Sequence, residues 1–548
     1  MKRLSSLLAL LALLSASLAA GAPRTPTRAQ ADAGPPARLY ASLNDDGYAD
    51  LVIGVPGENV GSVASAGSIN VLYGSANSLS TTGSQGWNQD SPGVAFGAET
   101  NDNFGSPLVT GDFNGDGYGD VAIGVPNEDD AAQTDGGTVN ILYGSANGLG
   151  ADGNQGLNEN NLDIGDGAQP YERFGSALAA GDFNADGYSD LAVGVPRQNV
   201  ETVSVAGTVD VLYGSPDGLS ATGIQTWNQN HFDSSDGAEA YDAFGSALAA
   251  GDFDGDGTAD LAIGVEEDLG STQDAGSVNV LYGSRGGLST TGNQTWDQNS
   301  IGAIDAAESG DLFGSTLTSG DFNGDGYADL AVGVEEDVGS VDGAGSVNVL
   351  YGSAGGLAAP GSQDWNQNNI GTGDTAEAYD RFGSALATGD FDGDGFGDLA
   401  IGAWSEGIGS TAAAGGVNVL YGSDGGLAVA NSQGWNQNTV GTGEVAGPLY
   451  YFGKALAAGD FDADGYADLA IGVPAQDIES VNAAGNVDIL YGSADGLAAE
   501  GSQAWNQNTI ASGDVAEALD NFGFALAAYH RDVTQYTYLP VIDRRAGP

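Results

Sequence analysis

Along most of the chain, short apolar runs alternate with turns rich in Gly, Asp, Asn and Ser, and the arrangement returns about every seventy residues. One unit reads Phe-Gly-Ser-Ala-Leu-Ala-Ala from Phe174, then Asp190-Leu-Ala-Val-Gly-Val-Pro196, then a run ending in Leu-Tyr-Gly at Tyr213, then Gln-Thr-Trp-Asn-Gln around Trp227. Apolar runs of this length bounded by turn formers read as strands, and four antiparallel strands make one propeller blade. Phe-Gly pairs stand at Phe104, Phe174, Phe244, Phe313, Phe382, Phe452 and Phe522, spaced 70, 70, 69, 69, 70 and 70. Such a period is settled before domains are counted. The third run recurs seven times, ending at Tyr73, Tyr143, Tyr213, Tyr282, Tyr351, Tyr421 and Tyr491. The predicted fold is therefore all-β: a seven-bladed β-propeller of four-stranded antiparallel blades over residues 37–532. After Phe522 the pattern breaks at Tyr529-His530-Arg531-Asp532, leaving one orphan strand. It is expected to return to the first blade, whose opening, Arg38-Leu-Tyr-Ala-Ser-Leu43, lacks a Phe-Gly. Which of the two segments lies innermost stays open. A linear β-solenoid would need much shorter calcium-binding repeats.

Between the first two runs of each unit lies an acidic loop, Asp-x-(Asp/Asn)-x-Asp-Gly-x-x-Asp. A hard divalent cation takes six to eight oxygens at once, and a tightly wound loop offers them from alternate positions. Positions 1, 3, 5 and 9 supply side chains and position 7 a backbone carbonyl. The candidate ligands are Asp112, Asn114, Asp116, Tyr118 and Asp120; Asp182, Asn184, Asp186, Tyr188 and Asp190; and Asp252, Asp254, Asp256, Thr258 and Asp260. They continue with Asp321, Asn323, Asp325, Tyr327 and Asp329; Asp390, Asp392, Asp394, Phe396 and Asp398; and Asp460, Asp462, Asp464, Tyr466 and Asp468. A degenerate copy offers Ser42, Asn44, Asp46, Tyr48 and Asp50. Position 6 is Gly in all seven, where a sharp turn with positive φ is expected. Ca²⁺ fits better than magnesium, which keeps more water and fewer carboxylates. An EF-hand would need Glu at position 12, but Ile53, Ile123, Val193, Ile263, Val332, Ile401 and Ile471 stand there. Asp, Asn and Gly also dominate plain polar turns; seven copies in phase favour the metal.

The chain has 548 residues and a formal net charge of -61, so nucleic acid and anionic membrane surfaces are excluded as partners by repulsion. There is no Cys and His occurs only twice, which removes the ligands zinc or copper would need. Metal binding is expected to be coupled to folding, because each loop repels itself without an ion. Met1-Lys2-Arg3 followed by an apolar run from Leu4 to Ala20 has the layout of a secretory signal peptide, expected over residues 1–22 with cleavage between 19 and 31. Residues 23–36 read as a linker and 533–548 as a C-terminal tail. No later segment is long and apolar enough for a membrane span. The protein is expected to be secreted and monomeric, with calcium and a large core replacing disulfides.

The Phe-Gly heads, the Asp-x-Asp-x-Asp-Gly hairpins and the Gly-Val-Pro closures at Gly54-Val55-Pro56, Gly124-Val125-Pro126, Gly194-Val195-Pro196 and Gly472-Val473-Pro474 resemble the FG-GAP repeat of the integrin α-subunit N-terminal β-propeller. The resemblance implies a seven-bladed ring with calcium hairpins on one face, used in adhesion and ligand recognition. Three blades depart from it, with Glu266, Glu335 and Trp404 in the Pro position. Repeats of this kind also accompany hydrolase domains in phospholipase D-like proteins, and no such domain is expected ahead of residue 37.

Trp87, Trp227, Trp296, Trp365, Trp435 and Trp505 recur once per blade, with Leu157 in the remaining one, and are expected to pack between blades. Trp404 stands outside the repeat and is the candidate for an exposed contact. There is no Gly-x-Ser-x-Gly elbow and no His-Glu-x-x-His, and His231 and His530 occupy unrelated repeat positions. Glu266-Glu267-Asp268 and Glu335-Glu336-Asp337 are expected to be solvated loop clusters. The expectation is a secreted calcium-binding propeller recognising a protein or cell-surface polysaccharide, and not an enzyme. The alternative is an extracellular hydrolase acting on glycans with channel-lining carboxylates.

Overall fold

The computed structural model describes residues 42–529, apart from 130–132, 166, 233–236, 303–305 and 511–512. The expected signal peptide, linker and C-terminal tail, the opening at Arg38 to Ala41, and His530 lie outside the described residues.

Twenty-eight strands form seven four-stranded antiparallel sheets arranged as a seven-bladed propeller. Blade 2 is typical. Its strands are Leu108–Gly111, Asp120–Val125, Thr138–Tyr143 and Gly150–Leu157, and the pairing of Gly111 with Asp120 sets the first hairpin. Blades 3 to 7 begin at Ala177–Gly181, Leu248–Gly251, Thr316–Gly320, Phe382–Gly389 and Leu456–Gly459. These first strands touch one another around a closed circuit, which places them innermost.

Blade 1 is assembled from both ends of the chain. Asp50–Val55, Ser68–Tyr73 and Ser80–Trp87 are joined by Ala525–Tyr529, which pairs antiparallel with Asp50–Val55. The orphan strand after Phe522 is thus the inner strand, which answers the question the sequence left open. Ring closure rests on this pairing and its interfaces, because a propeller with a missing inner strand exposes an edge.

Second and third strands are buried on both faces, as Asp120–Val125 and Thr138–Tyr143 illustrate. The reason is that the hydrophobic core lies between blades. Val52, Ile69 and Val71 of blade 1 share one cluster with Val121, Ile123 and Leu142 of blade 2. Phe104 closes that cluster and is fully buried. Its truncation to Ala would cost about 3–5 kcal/mol. The Gly that follows is required by the backbone: Gly105 has φ +98, and its carbonyl would lie 2.2 Å from a Cβ placed on Gly54.

The once-per-blade Trp residues pack into these clusters, as the repeat implied. A polar belt reinforces them. Tyr282 Oη donates to Gln294 Oε1 at 2.6 Å and accepts from Leu357 N of the next blade at 3.2 Å. Gln294 Nε2 donates to the Leu357 carbonyl at 3.0 Å. Farther along, Gln298 Nε2 donates to Glu336 Oε2 at 2.6 Å across the same interface.

Candidate functional site

Six acidic loops join an inner strand to the second strand of their blade, and the seventh, at Ser42, leads into the second strand of blade 1, so all seven lie at one end of the ring. Position 9 opens the second strand and is fully buried. Asp120 Oδ2 accepts from Phe113 N at 2.8 Å and Oδ1 accepts from Gly144 N at 2.9 Å. Asp50 holds Leu43 N and Gly74 N in the same way, both at 2.9 Å, and Asp398 holds Phe391 N at 2.7 Å and Gly422 N at 2.9 Å. Burial pushes the Asp120 and Asp398 carboxyls up to about 8; the two N–H donors oppose the shift, and neighbouring loop carboxylates add to it. Asp468 is driven well above the usual carboxylate range for the same reason.

The other acidic positions curl the main chain round themselves. Asp252 accepts from Asp256 N at 3.0 Å and from Gly257 N at 2.9 Å; Asp254 accepts from Asp256 N at 3.1 Å, and Asp256 from Thr258 N at 2.9 Å. Where position 3 is Asn, the amide oxygen takes the same donor, as Asn114 does from Asp116 N at 2.8 Å. In the degenerate loop, Ser42 Oγ accepts from Asp46 N at 3.2 Å, so Ser replaces the position 1 acceptor without unwinding the turn. Gly at position 6 has φ between 88 and 96 in all seven copies. Carboxylate oxygens of Asp252, Asp254 and Asp260 lie within 4.8 Å of one another, as do those of Asp390, Asp392 and Asp398 and of Asp460, Asp462 and Asp464. All-oxygen donors at this separation suit a hard cation.

The side chain at position 7 has a separate use. Tyr188 lies over Gly115 of the preceding loop, where a Cβ would come within 2.5 Å of the ring, and Tyr327 covers Gly255 likewise. Main-chain bonds then chain the loops together: Ser189 N donates to the Asp112 carbonyl at 2.9 Å, Ala259 N to Asp182 at 3.0 Å, and Gly397 N to Asp321 at 2.7 Å. The equivalent bonds from Ala328, Ala467, Ala49 and Gly119 complete a ring of seven, ending on Ser42. An ion bound in one loop would therefore act on a carbonyl held by its neighbour.

Six segments, 104–142, 174–212, 244–281, 313–350, 382–420 and 452–490, match the FG-GAP repeat model. The chain is an FG-GAP repeat protein. Blade 1, divided between the chain ends, lies outside the matched segments. Similar proteins include phosphatidylinositol-glycan-specific phospholipase D of Mus musculus, 37% identical over 176 residues, which is 32% of this chain and 20% of that protein. Integrin alpha-PS2 of Drosophila melanogaster is 34% identical over 239 residues, 42% of this chain and 15% of the relative. Bacillus licheniformis rhamnogalacturonan lyase PL11 is a solved structure 12% identical, with a TM-score of 0.31 over 78% of this chain and 84% of that one, too distant to carry an argument.

These relatives correct one expectation. The sequence pointed away from an enzyme, yet proteins named for a phospholipase D activity are similar to about a third of this chain, although the match spans only about a fifth of their length. A search for short catalytic motifs has no means of seeing acids that meet only in the fold. Glu58, Glu517 and Asp520 of this FG-GAP chain, remote in sequence, bring oxygens within 4.8 Å.

That trio belongs to the rim opposite the acidic loops, where second strands end and inner strands begin. There a Glu-x-x-Asp-x-Phe-Gly pattern recurs at Glu99, Glu239, Glu308, Glu377 and Glu517, a signal the sequence reading missed. The Asp accepts from the Glu main-chain N–H, as Asp380 does from Glu377 N at 2.6 Å. A buried Glu after the second strand of the next blade faces it and is held by the Gln of Trp-Asn-Gln, as Glu406 is by Gln367. Burial and nearby acids push the Glu128 carboxyl up to about 8. Glu267 and Glu336 occupy this position and are buried, which corrects the expectation that their clusters are solvated.

The same rim carries Trp404, half-buried rather than freely exposed. The Arg381 guanidinium lies 5.2 Å and the Lys454 ammonium 4.4 Å from its ring centroid, with Tyr451 edge-on at 5.0 Å. Arg381 also pairs with Glu335 at 2.7 Å. Burial first, and Arg381 second, lower the Lys454 pKa. Among the described residues, no helix is long and apolar enough to cross a membrane.

Proposed function

We propose that this FG-GAP propeller is exported, holds Ca²⁺ in its acidic loops, and recognises a protein or surface polysaccharide through the opposite rim. The proposed ligands are positions 1, 3, 5, 7 and 9 of each loop, with the loop at Ser42 the weakest. The observation that carries the reading is the division of the ring into two unlike ends. One end repeats a single acidic turn seven times and links the copies by hydrogen bonds, as a stabilising frame would. The other end holds the non-repeated Trp404, Arg381 and Lys454, two of only 13 basic residues in a chain of net charge -61. Two cations held over one indole ring suit a carboxylate, of an acidic sugar or an acidic side chain, through charge-assisted hydrogen bonds. Loops on a rigid frame are where binding concentrates.

The test is capture of envelope polysaccharides and secreted proteins from the producing cells on the calcium-loaded protein. A retained ligand should bind at least about tenfold more weakly, the equivalent of about 1.4 kcal/mol, to Trp404→Ala and Lys454→Ala, and should be released when chelator loosens the frame. Retention that ignores both substitutions would count against this rim. Fragmentation of a captured polysaccharide would show that the ligand is also a substrate.

A further inference from the structure

We propose that the seam closing the ring, between blades 7 and 1, binds a calcium ion on Glu58, Glu517 and Asp520. This site is separate from the acidic loops: it lies at the opposite end of the strands, and its residues come from the end of the second strand of blade 1 and the connection leading into the inner strand Ala525–Tyr529.

Three observations converge. One oxygen from each of the three side chains lies within 4.8 Å of the others. Asp520 is fully buried, and while its Oδ2 accepts from Glu517 N, its Oδ1 has no hydrogen-bond partner. A buried carboxylate oxygen left without a donor is costly unless a proton or a cation reaches it. The groups around it are placed rather than loose: Gln507, itself buried, donates to Glu58, and Asn59 Nδ2 donates to Glu517 Oε2 at 2.8 Å.

The chemistry selects the ion. All donors are hard oxygens, which disfavours zinc and copper, and three carboxylates gathered at one point suit calcium's larger and less regular shell better than magnesium's octahedron. Glu517 is exposed, so the ion enters from the rim and keeps water on that side. The main chain already crosses here, with Gly57 N donating to the Asp520 carbonyl at 3.1 Å. An ion at this point clamps the two ends of the chain where the ring is discontinuous. The arrangement recurs between blades 5 and 6, where oxygens of Glu377, Asp380 and Glu406 lie within 4.8 Å beside a cleft of about 300 Å³ lined in part by Asp374 and Glu406.

Native mass spectrometry of the full folded chain across a calcium titration tests the proposal. Glu58→Gln, which keeps the size and one oxygen, is expected to bind one calcium fewer than the parent, and the loss should add to that of the loop variant Asp116→Ala. Should Glu58→Gln fail to fold, the exposed Glu517→Gln serves instead, with one calcium weakened at least tenfold. An unchanged count in Glu58→Gln, or unchanged affinities in Glu517→Gln, would overturn the site and leave the loop sites untouched.

Discussion

Asp398→Ala is expected to destabilise the propeller by about 4 kcal/mol even in chelator, whereas Asp394→Ala in the same loop should cost less than about 1 kcal/mol there. The two carboxylates differ in what they hold. Asp398 is buried and accepts from Phe391 N and Gly422 N, so its removal orphans two main-chain donors in a place water does not reach. Each such orphan costs about 1–3 kcal/mol. Asp394 is half-buried, and its Oδ1 accepts from Phe396 N at 3.0 Å at the loop surface. With calcium present the order changes, because Asp394→Ala also forfeits the stabilisation contributed by one bound ion through linkage. Urea unfolding of both variants, with chelator and with calcium, separates the structural from the ligating role. Equal stability of Asp398→Ala and the parent in chelator would refute the structural role assigned to position 9.

The second large effect is a reversal of pH dependence on metal loading. In the metal-free protein, burial raises the folded carboxyls of Asp50, Asp120, Asp190, Asp260 and Asp398 to about 8. Unfolded Asp titrates near 4. Between about pH 4 and pH 8 the folded state therefore binds more protons than the unfolded one, and stability falls as pH rises through that window. All five groups act in the same direction, so their losses add. Calcium needs the deprotonated carboxylates, so its contribution grows as pH rises and is lost on acidification. The metal-free protein should melt higher at pH 5 than at pH 8, and the calcium-loaded protein higher at pH 8 than at pH 5. Melting curves with parallel pH dependence in the two states would contradict the placement of the ions among these carboxylates.

The fold was legible in sequence because a propeller repeats one supersecondary unit, and each landmark has a local physical cause. Phe104 is a buried plug between blades, Gly105 a backbone requirement, and Gly117 a turn with φ 93. The identity of the inner strand of blade 1 was not legible, since the pairing of Asp50 with Tyr529 is a fact of ring closure and not of local pattern. The acidic loops were legible as turns with a metal-like spacing, but the double hydrogen bonding of position 9 was hidden: the second donor, Gly144 N, follows the end of the third strand, 24 residues away in sequence. The opposite rim was read least well. Glu267 looked like part of a solvated acidic run, yet it is buried against Gln229 of the preceding blade at 2.6 Å. In blade 2, Glu159 stands where other blades have Gln, and the facing position is Gln198 where most have Glu, an exchange visible only once the seam is known.

Metal content is the property on which the role of the acidic loops depends most directly. Calcium bound per chain should be counted for the parent, Asp394→Ala and Asp45→Ala after equilibration in micromolar free calcium and rapid desalting. The expected result is several ions in the parent, one fewer in Asp394→Ala and no change in Asp45→Ala, because Asp45 occupies the non-ligating position 4 of its loop. A parent without calcium, or one count shared by all three proteins, would contradict the assignment of the loops as cation sites.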